Sequence, residues 1–180
     1  MAVYTIFDST NMKTTKYAER IMDVVATEDI ENGTFGYIDE LDEDGGVIYK
    51  FHKGTKTGAV IVVADNPAHN DDTSLTSNQA RRKYINKANT PFRARVVAKN
   101  DEFAISIDGV TSSTQSLCKP NAYVTIDTSG KLKASATTTA DADMEGKVMR
   151  KRISGAIVCT TNADYGYKAD MYEIKITTLA

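Results

Sequence analysis

Residues 84–126, YINKANTPFRARVVAKNDEFAISIDGVTSSTQSLCKPNAYVTI, form the stretch that decides the fold. It contains three apolar segments, 92–98, 103–107 and 123–126, each rich in β-branched or aromatic residues and bounded by Pro, Asn, Asp or Gly. The second segment, FAISI, alternates large apolar residues with small ones, which is the pattern of a half-buried strand. The stretch therefore predicts three strands and contains no obvious reaction centre.

Similar strand patterns recur along the rest of the chain at intervals of about ten residues, with turn residues between them, as in a sandwich or barrel. Residues 59–64, AVIVVA, are apolar throughout, which predicts a central strand covered on both faces. Asn32-Gly33 predicts a hairpin turn before the next strand. The predicted strands outside the central stretch are 2–7, 34–41, 47–51, 59–64, 131–135, 146–153, 155–160 and 171–176.

Two segments of the sequence are candidates for an α-helix. In residues 16–26, KYAERIMDVVA, the apolar side chains have helical spacing, but the end is β-prone, and a strand ending at Ala26 is favoured over a helix. Residues 78–88 are the best helix candidate, with Ser77 as a possible N-cap. We therefore expect an all-β, mainly β protein, a barrel or sandwich with one short helix near 78–88. Residues 1–15 would form an N-terminal strand or arm, and residues 16–180 a single domain.

The composition indicates an ordinary globular protein of 180 residues, with 41% hydrophobic residues, 26% charged residues and a net charge of −2. A dedicated nucleic-acid binder usually has a basic excess, so nucleic acid is not an expected partner. No apolar run reaches the roughly 20 residues that cross a bilayer, and the N-terminus lacks the features of a secretory signal. We expect no membrane partner and folding in a cytoplasm. The distant Cys118 and Cys159 are predicted to be reduced thiols.

Charge is segregated between two segments of the sequence. Residues 28–44 contain eight Asp and Glu and no Lys or Arg, while residues 81–99 contain seven Lys and Arg and no Asp or Glu. The two segments either face each other or solvent within one subunit, or form contacts with a neighbouring subunit or capsid. Tyrosines near the C-terminus are a further candidate surface. The candidate interface residues are Asp42, Glu43, Asp44, Arg81, Arg82, Lys83, Lys87, Arg93, Arg95, Tyr165 and Tyr167.

No motif for catalysis, metal binding or cofactor binding stands out. The loop acids and His69 in residues 65–72 are predicted to be a polar loop, and the calcium-loop-like run from Asp141 has Arg152 where the twelfth-position Glu should be. GxSxG, Walker and GxGxxG motifs are all missing from the sequence. We expect no catalytic residue, metal or cofactor, with a small cytoplasmic enzyme as the weakest option.

The central stretch resembles a pattern in small virion proteins of tailed bacteriophages. YINKANTPFRAR (84–95) and KNDEFAIS (99–106) are similar to an Asn-x-Ala-Gly-x-Pro-x-Arg-Ala motif followed by Gly-Asp-x-Phe, with Asn89 and Asn100 in place of the two glycines. Asn tolerates a positive φ better than most residues, so both turns can keep their geometry. Residues 26–36, 121–135 and 146–149 resemble the same group, so the likeness touches most of residues 20–160.

The resemblance implies a mainly β structural protein without catalytic residues. It implies a head decoration or capsid-stabilising subunit on the virion surface, assembled in the bacterial cytoplasm, with the major capsid protein as partner. A homo-oligomer is expected, and a trimer is the hypothesis that this class of protein suggests. The alternative is a virion surface module that binds a receptor or carbohydrate through Tyr165, Tyr167 and the 65–77 loop.

Overall fold

The structure is a computed structural model that describes residues 4–13, 20–41, 47–66, 84–154 and 169–180. The described residues form eleven strands and two 3₁₀ helices, Ile107–Gly109 and Ser112–Leu117. The strands are β1 (Phe7–Asp8), β2 (Ile21–Val25), β3 (Phe35–Leu41), β4 (Tyr49–Lys53), β5 (Val60–Ala64), β6 (Phe92–Val96), β7 (Glu102–Ser106), β8 (Tyr123–Ile126), β9 (Leu132–Ser135), β10 (Met144–Ser154) and β11 (Ala169–Leu179).

The strands make two sheets. One is a closed barrel in the order β2-β4-β3-β5-β6, and the other is a six-stranded sheet in the order β1-β7-β11-β10-β8-β9. The pair β2–β4 is parallel, and the remaining named pairs are antiparallel. The predicted all-β class is confirmed. Among the described residues, no helix is long and apolar enough to cross a membrane.

β5 belongs to two hydrophobic cores, because alternate residues of a strand face opposite sides. Val62 and Ala64 lie inside the barrel, whereas Ile61 and Val63 pack between the barrel and the six-stranded sheet. Neither Val62 nor Val63 has measurable solvent exposure. The strand predicted at residues 59–64 is present at Val60–Ala64, and residues 61–64 are covered on both faces as predicted, whereas Val60 is 45% exposed.

An aromatic cluster joins the barrel to the six-stranded sheet. The Phe35 ring of β3 lies 5.4 Å from the Phe103 ring of β7 and 6.4 Å from the Phe7 ring of β1, measured between centroids. The Phe7 and Phe103 centroids are themselves 5.4 Å apart. Aromatic pairs at such distances add to the stabilisation that burial of their surface provides.

The three strands predicted in the central stretch are present as β6, β7 and β8. The expectation that residues 103–107 are buried on one face only is wrong. Ala104 and Ser106 are as buried as Phe103 and Ile105, because Met171 and Ile6 pack over the second face of β7.

Two turn and helix predictions need correction. Residues 84–88, the end of the helix predicted near 78–88, are not helical: Asn86 forms a β-bridge with Ile30, and residues 78–83 lie outside those described. Asn32-Gly33 is not a hairpin turn, because β2 and β3 are not paired; β2 pairs with β4 and β6.

The strand favoured for residues 16–26 is found at Ile21–Val25, with residues 16–19 outside the described part. Residues 155–160 also lie outside it.

The N-terminal segment packs on its own chain. Phe7 pairs with Ile105 of β7, and Phe7 and Met12 belong to the core between barrel and sheet. At the opposite edge of the six-stranded sheet, the second 3₁₀ helix covers β9. Thr114 Oγ1 accepts a hydrogen bond from the Ala134 N–H at 3.1 Å, and the Thr111 N–H donates to the Leu132 carbonyl at 2.8 Å.

Candidate functional site

The acidic segment is largely paired within the chain. Its five acids in the described region all have partners, three of them lysines on β4 or the turn after it. The contacts are Glu28–Lys53 at 2.9 Å, Asp29–Lys87 at 3.0 Å, Asp39–Lys56 at 2.6 Å, Glu40–Lys50 at 3.2 Å, and Glu31 to the N–H and hydroxyl of Thr5 at 3.0 and 2.8 Å. Asp42, Glu43 and Asp44 lie outside the described residues.

The structure distributes the predicted basic residues rather than gathering them. Lys87 contacts Asp29, and the Arg95 Nε donates to Asp65 at 2.5 Å. Arg93 is exposed, and its side chain makes no hydrogen bond or ion pair with the part of the chain that is described. Arg81, Arg82, Lys83, Tyr165 and Tyr167 fall outside that part. The two charged segments therefore meet within one chain at Asp29 and Lys87.

The Asp29 carboxylate ties the turn after Asn86 to the loop before β3. It accepts a backbone hydrogen bond from Ala88 at 2.9 Å and one from the Lys87 ammonium. The backbone hydrogen bond is the largest cause, and the lysine the next, that lower the pKa of Asp29 below its ordinary value.

A cavity of about 240 Å³ lies between the N-terminal segment and the barrel, lined by residues 5–10, Asp65, Arg93 and Arg95 among others. The Asp65 Oδ2 accepts from the Arg95 Nε at 2.5 Å and from the Ser9 hydroxyl at 2.6 Å. These bonds tie the N-terminal segment to β6. The Arg95 Nη1 is buried and has no hydrogen-bond partner among the residues that the structure describes.

A larger cavity, of about 520 Å³, is lined by β7, β10, β11 and residues Asp8, Thr10 and Asn11. We call it the sheet cavity. Met149 forms part of its wall and is 51% exposed, and Ala104 lies beside the charged residues. A cavity with both apolar and charged lining can accept an apolar side chain from a partner and orient it through polar contacts.

Four charged side chains form a chain of ion pairs along the sheet cavity. The Arg150 side chain donates two hydrogen bonds to the Glu173 carboxylate, one from Nε to Oε2 and one from Nη2 to Oε1 at 3.0 Å. Arg152 lies 3.4 Å from Glu173 through its Nε and donates from Nη2 to Asp8 at 2.6 Å. The hydrogen bond from Arg150 is the main cause that lowers the pKa of Glu173. This cluster was not predicted from the sequence, although Arg150 and Arg152 occupy alternate positions of the strand predicted at residues 146–153.

The described residues do not assemble a nucleophile. Cys118 is buried, and burial raises the pKa of its thiol to about 11, so the reactive thiolate is scarce at neutral pH. His52 lies beside Asp39 and stacks on the Tyr37 ring, and within the described residues its imidazole forms no hydrogen bond with a hydroxyl or thiol. Cys159 and His69 lie outside these residues.

The turn at Asn100–Asp101, within the KNDEFAIS segment (99–106), connects the N-terminal segment to β7. Asn100 has a φ of 69° and Asn89 a φ of 56°, so both adopt the left-handed conformation. The fully buried Asp101 carboxylate accepts backbone hydrogen bonds from Ala98 at 2.8 Å and Lys13 at 3.0 Å. The motif therefore anchors the N-terminal segment beside β7.

Comparison with known proteins finds no match: no family model, no curated protein and no solved structure is significantly similar to this chain.

Proposed function

We propose that this chain is a virion structural protein of a tailed bacteriophage, a decoration subunit that binds the assembled head and stabilises it. The observation that carries the proposal is the backbone at Asn89 and Asn100. Both residues have positive φ at the two positions where the phage pattern has glycine. Glycine is the default residue for that conformation, and Asn is the commonest substitute.

The rest of the motif also has structural roles that fit the resemblance. Asp101 is buried and satisfied by backbone donors, and Phe103 packs in the core between barrel and sheet. These residues set turns and packing, so their role in this chain is architectural rather than chemical.

We place the attachment surface at the sheet cavity. Arg and Met are enriched at the buried centre of protein interfaces, and the cavity combines the exposed Met149 with Arg150 and Arg152. The partner in this proposal is the major capsid protein, and the subunit is a homo-oligomer, with a trimer at a threefold position as the working form. Its location is the outer surface of the capsid.

The test is co-sedimentation with purified heads that lack this subunit. The chain should pellet with the heads and raise their melting temperature, whereas a chain that stays in the supernatant at every head concentration would contradict the proposal. Met149→Asp should weaken the binding by at least about tenfold, because it places a charge at the centre of the contact. Leu117→Asp is the matched control, since Leu117 is exposed to a similar degree, 46%, but does not line the cavity.

A further inference from the structure

An irregularity in β3 changes the direction of an acidic side chain. Ile38 pairs with Phe51 and Leu41 pairs with Tyr49, so two residues of β3, Asp39 and Glu40, lie opposite the single Lys50 of β4. This two-against-one arrangement is a β-bulge, which redirects a side chain that would otherwise point to the opposite face. Here it brings two consecutive carboxylates to the side of the sheet that carries His52.

The three side chains are close enough to share one ion. One potential ligand atom from each of Asp39, Glu40 and His52 lies within 4.8 Å of the other two. The His52 Nε2 is 3.5 Å from the Asp39 Oδ1. Ligand atoms around a tetrahedral zinc ion, with bonds of about 2.0–2.1 Å, are roughly 3.4 Å apart. The His–Asp pair already has this spacing, and the Glu40 ligand atom lies within 4.8 Å of both.

A stacked aromatic ring also holds the His52 imidazole in position. His52 pairs with Tyr37 across the strands, and the two rings stack with centroids 5.1 Å apart and planes 21° apart. A ring that is oriented by a neighbour loses less conformational freedom when it binds a ligand. Tyr37 is therefore a positioning residue for the His52 nitrogen.

Lysines already neutralise the two carboxylates, but they leave oxygen atoms available. Lys56 contacts the Asp39 Oδ2 at 2.6 Å, whereas it is Oδ1 that faces His52. Lys50 lies 3.2 Å from the Glu40 Oε1, and its side chain is 33% exposed. Ion pairs that are this accessible to solvent are weak, so a metal ion bonded to several ligands can displace them.

We propose that His52, Asp39 and Glu40 form a surface site for a divalent transition-metal ion of the zinc type. One imidazole nitrogen and two carboxylate oxygens suit zinc, whereas calcium takes six to eight oxygen ligands and magnesium keeps most of its waters. Three protein ligands leave the fourth position of a tetrahedral ion open. The site lies on the barrel and does not depend on the proposed function.

Isothermal titration of zinc chloride into chelator-treated protein tests the site. The chain should bind one zinc ion per molecule, and magnesium chloride should give no comparable binding. His52→Ala should weaken zinc binding at least about tenfold. His69→Ala removes the other histidine of the sequence and should leave the affinity unchanged.

A second pair of variants separates loss of a ligand from loss of the fold. Asp39→Asn keeps the shape of the side chain and His52→Gln keeps a polar side chain of similar size, and both should weaken zinc binding while the melting temperature of the zinc-free protein changes little. The proposal is overturned if the wild-type chain takes up no zinc, if the His52 variants bind as tightly as wild type, or if the His69 variant alone loses binding.

Discussion

The Lys87 Nζ lies 3.0 Å from the Asp29 Oδ2, so a basic residue of one charged segment neutralises an acid of the other inside the same chain. The Asp29 Oδ1 accepts the Ala88 N–H at 2.9 Å. The carboxylate thus has two roles, as the partner of an exposed lysine and as the acceptor of a backbone hydrogen bond. Loss of the backbone acceptor should destabilise the folded protein more than loss of the exposed ion pair.

Asp29→Ala should lower the melting temperature clearly more than Lys87→Ala does. The exposed ion pair contributes little, whereas removal of the carboxylate also leaves the Ala88 N–H without its protein acceptor. Thermal unfolding of the two variants measures the difference. Asp29→Asn, which keeps an acceptor oxygen, should lie between them, and equal losses in both alanine variants would refute this account of Asp29.

Protonation of Asp127 at acidic pH should destabilise the folded protein. Burial acts against its ionisation, but hydrogen bonds from Ser129, Thr111 and the Lys131 backbone outweigh it and lower the pKa below the ordinary 3.8. A lowered folded-state pKa gives stability that is complete above pH 3.8 and is lost as the pH falls through the folded value. Denaturant unfolding from pH 6 downwards should show a stability difference between wild type and Asp127→Asn that shrinks below pH 3.8. A constant difference would show that Asp127 titrates alike in both states.

Gly130→Ala should destabilise the protein much more than Gly58→Ala. Both glycines have positive φ, 77° and 78°, which costs an alanine about 1–2 kcal/mol. A Cβ at Gly130 would also lie 2.4 Å from the Phe35 carbonyl oxygen, whereas at Gly58 it meets nothing within 4 Å. We expect a loss of about 3 kcal/mol at Gly130 and about 1 kcal/mol at Gly58 by denaturant unfolding. Similar losses at the two sites would mean that the Gly130 turn relaxes without cost.

Val62→Ala and Val63→Ala should each cost about 2 kcal/mol, because each removes two buried methyl groups and leaves a space behind. The two side chains face different cores, so the double variant should lose about 4 kcal/mol, the sum of the single losses. Equilibrium unfolding of the three variants measures the additivity. A double loss well below the sum would indicate that the two cores relax together.

Much of the fold is predictable because strand signals are local. The apolar run at β5 and the alternation at β7 are legible from neighbouring residues alone, and both strands are present. The burial of the second face of β7 was not predictable, because it depends on Met171 and Ile6, which come from distant parts of the sequence.

The charged cluster of the sheet cavity was not predictable from the sequence for a similar reason. Arg152 and Asp8 are 144 positions apart, and only the sheet order places β10 near the N-terminal segment. The His52 cluster depends on a bulge, which is a register shift between two strands and leaves no signature in β3 alone. Sequence patterns report which residues form strands, whereas pairing decides which side chains meet.

The contacts of Thr111 and Thr114 with β9 limit how copies of this protein can associate. A sheet that ends in free backbone donors and acceptors invites another chain to extend it, and crowding on a lattice would favour such open-ended growth into fibres. Here a threonine hydroxyl and a backbone N–H already occupy polar groups at that edge. That edge therefore presents fewer backbone donors and acceptors to a second chain, which disfavours fibre growth by strand addition there.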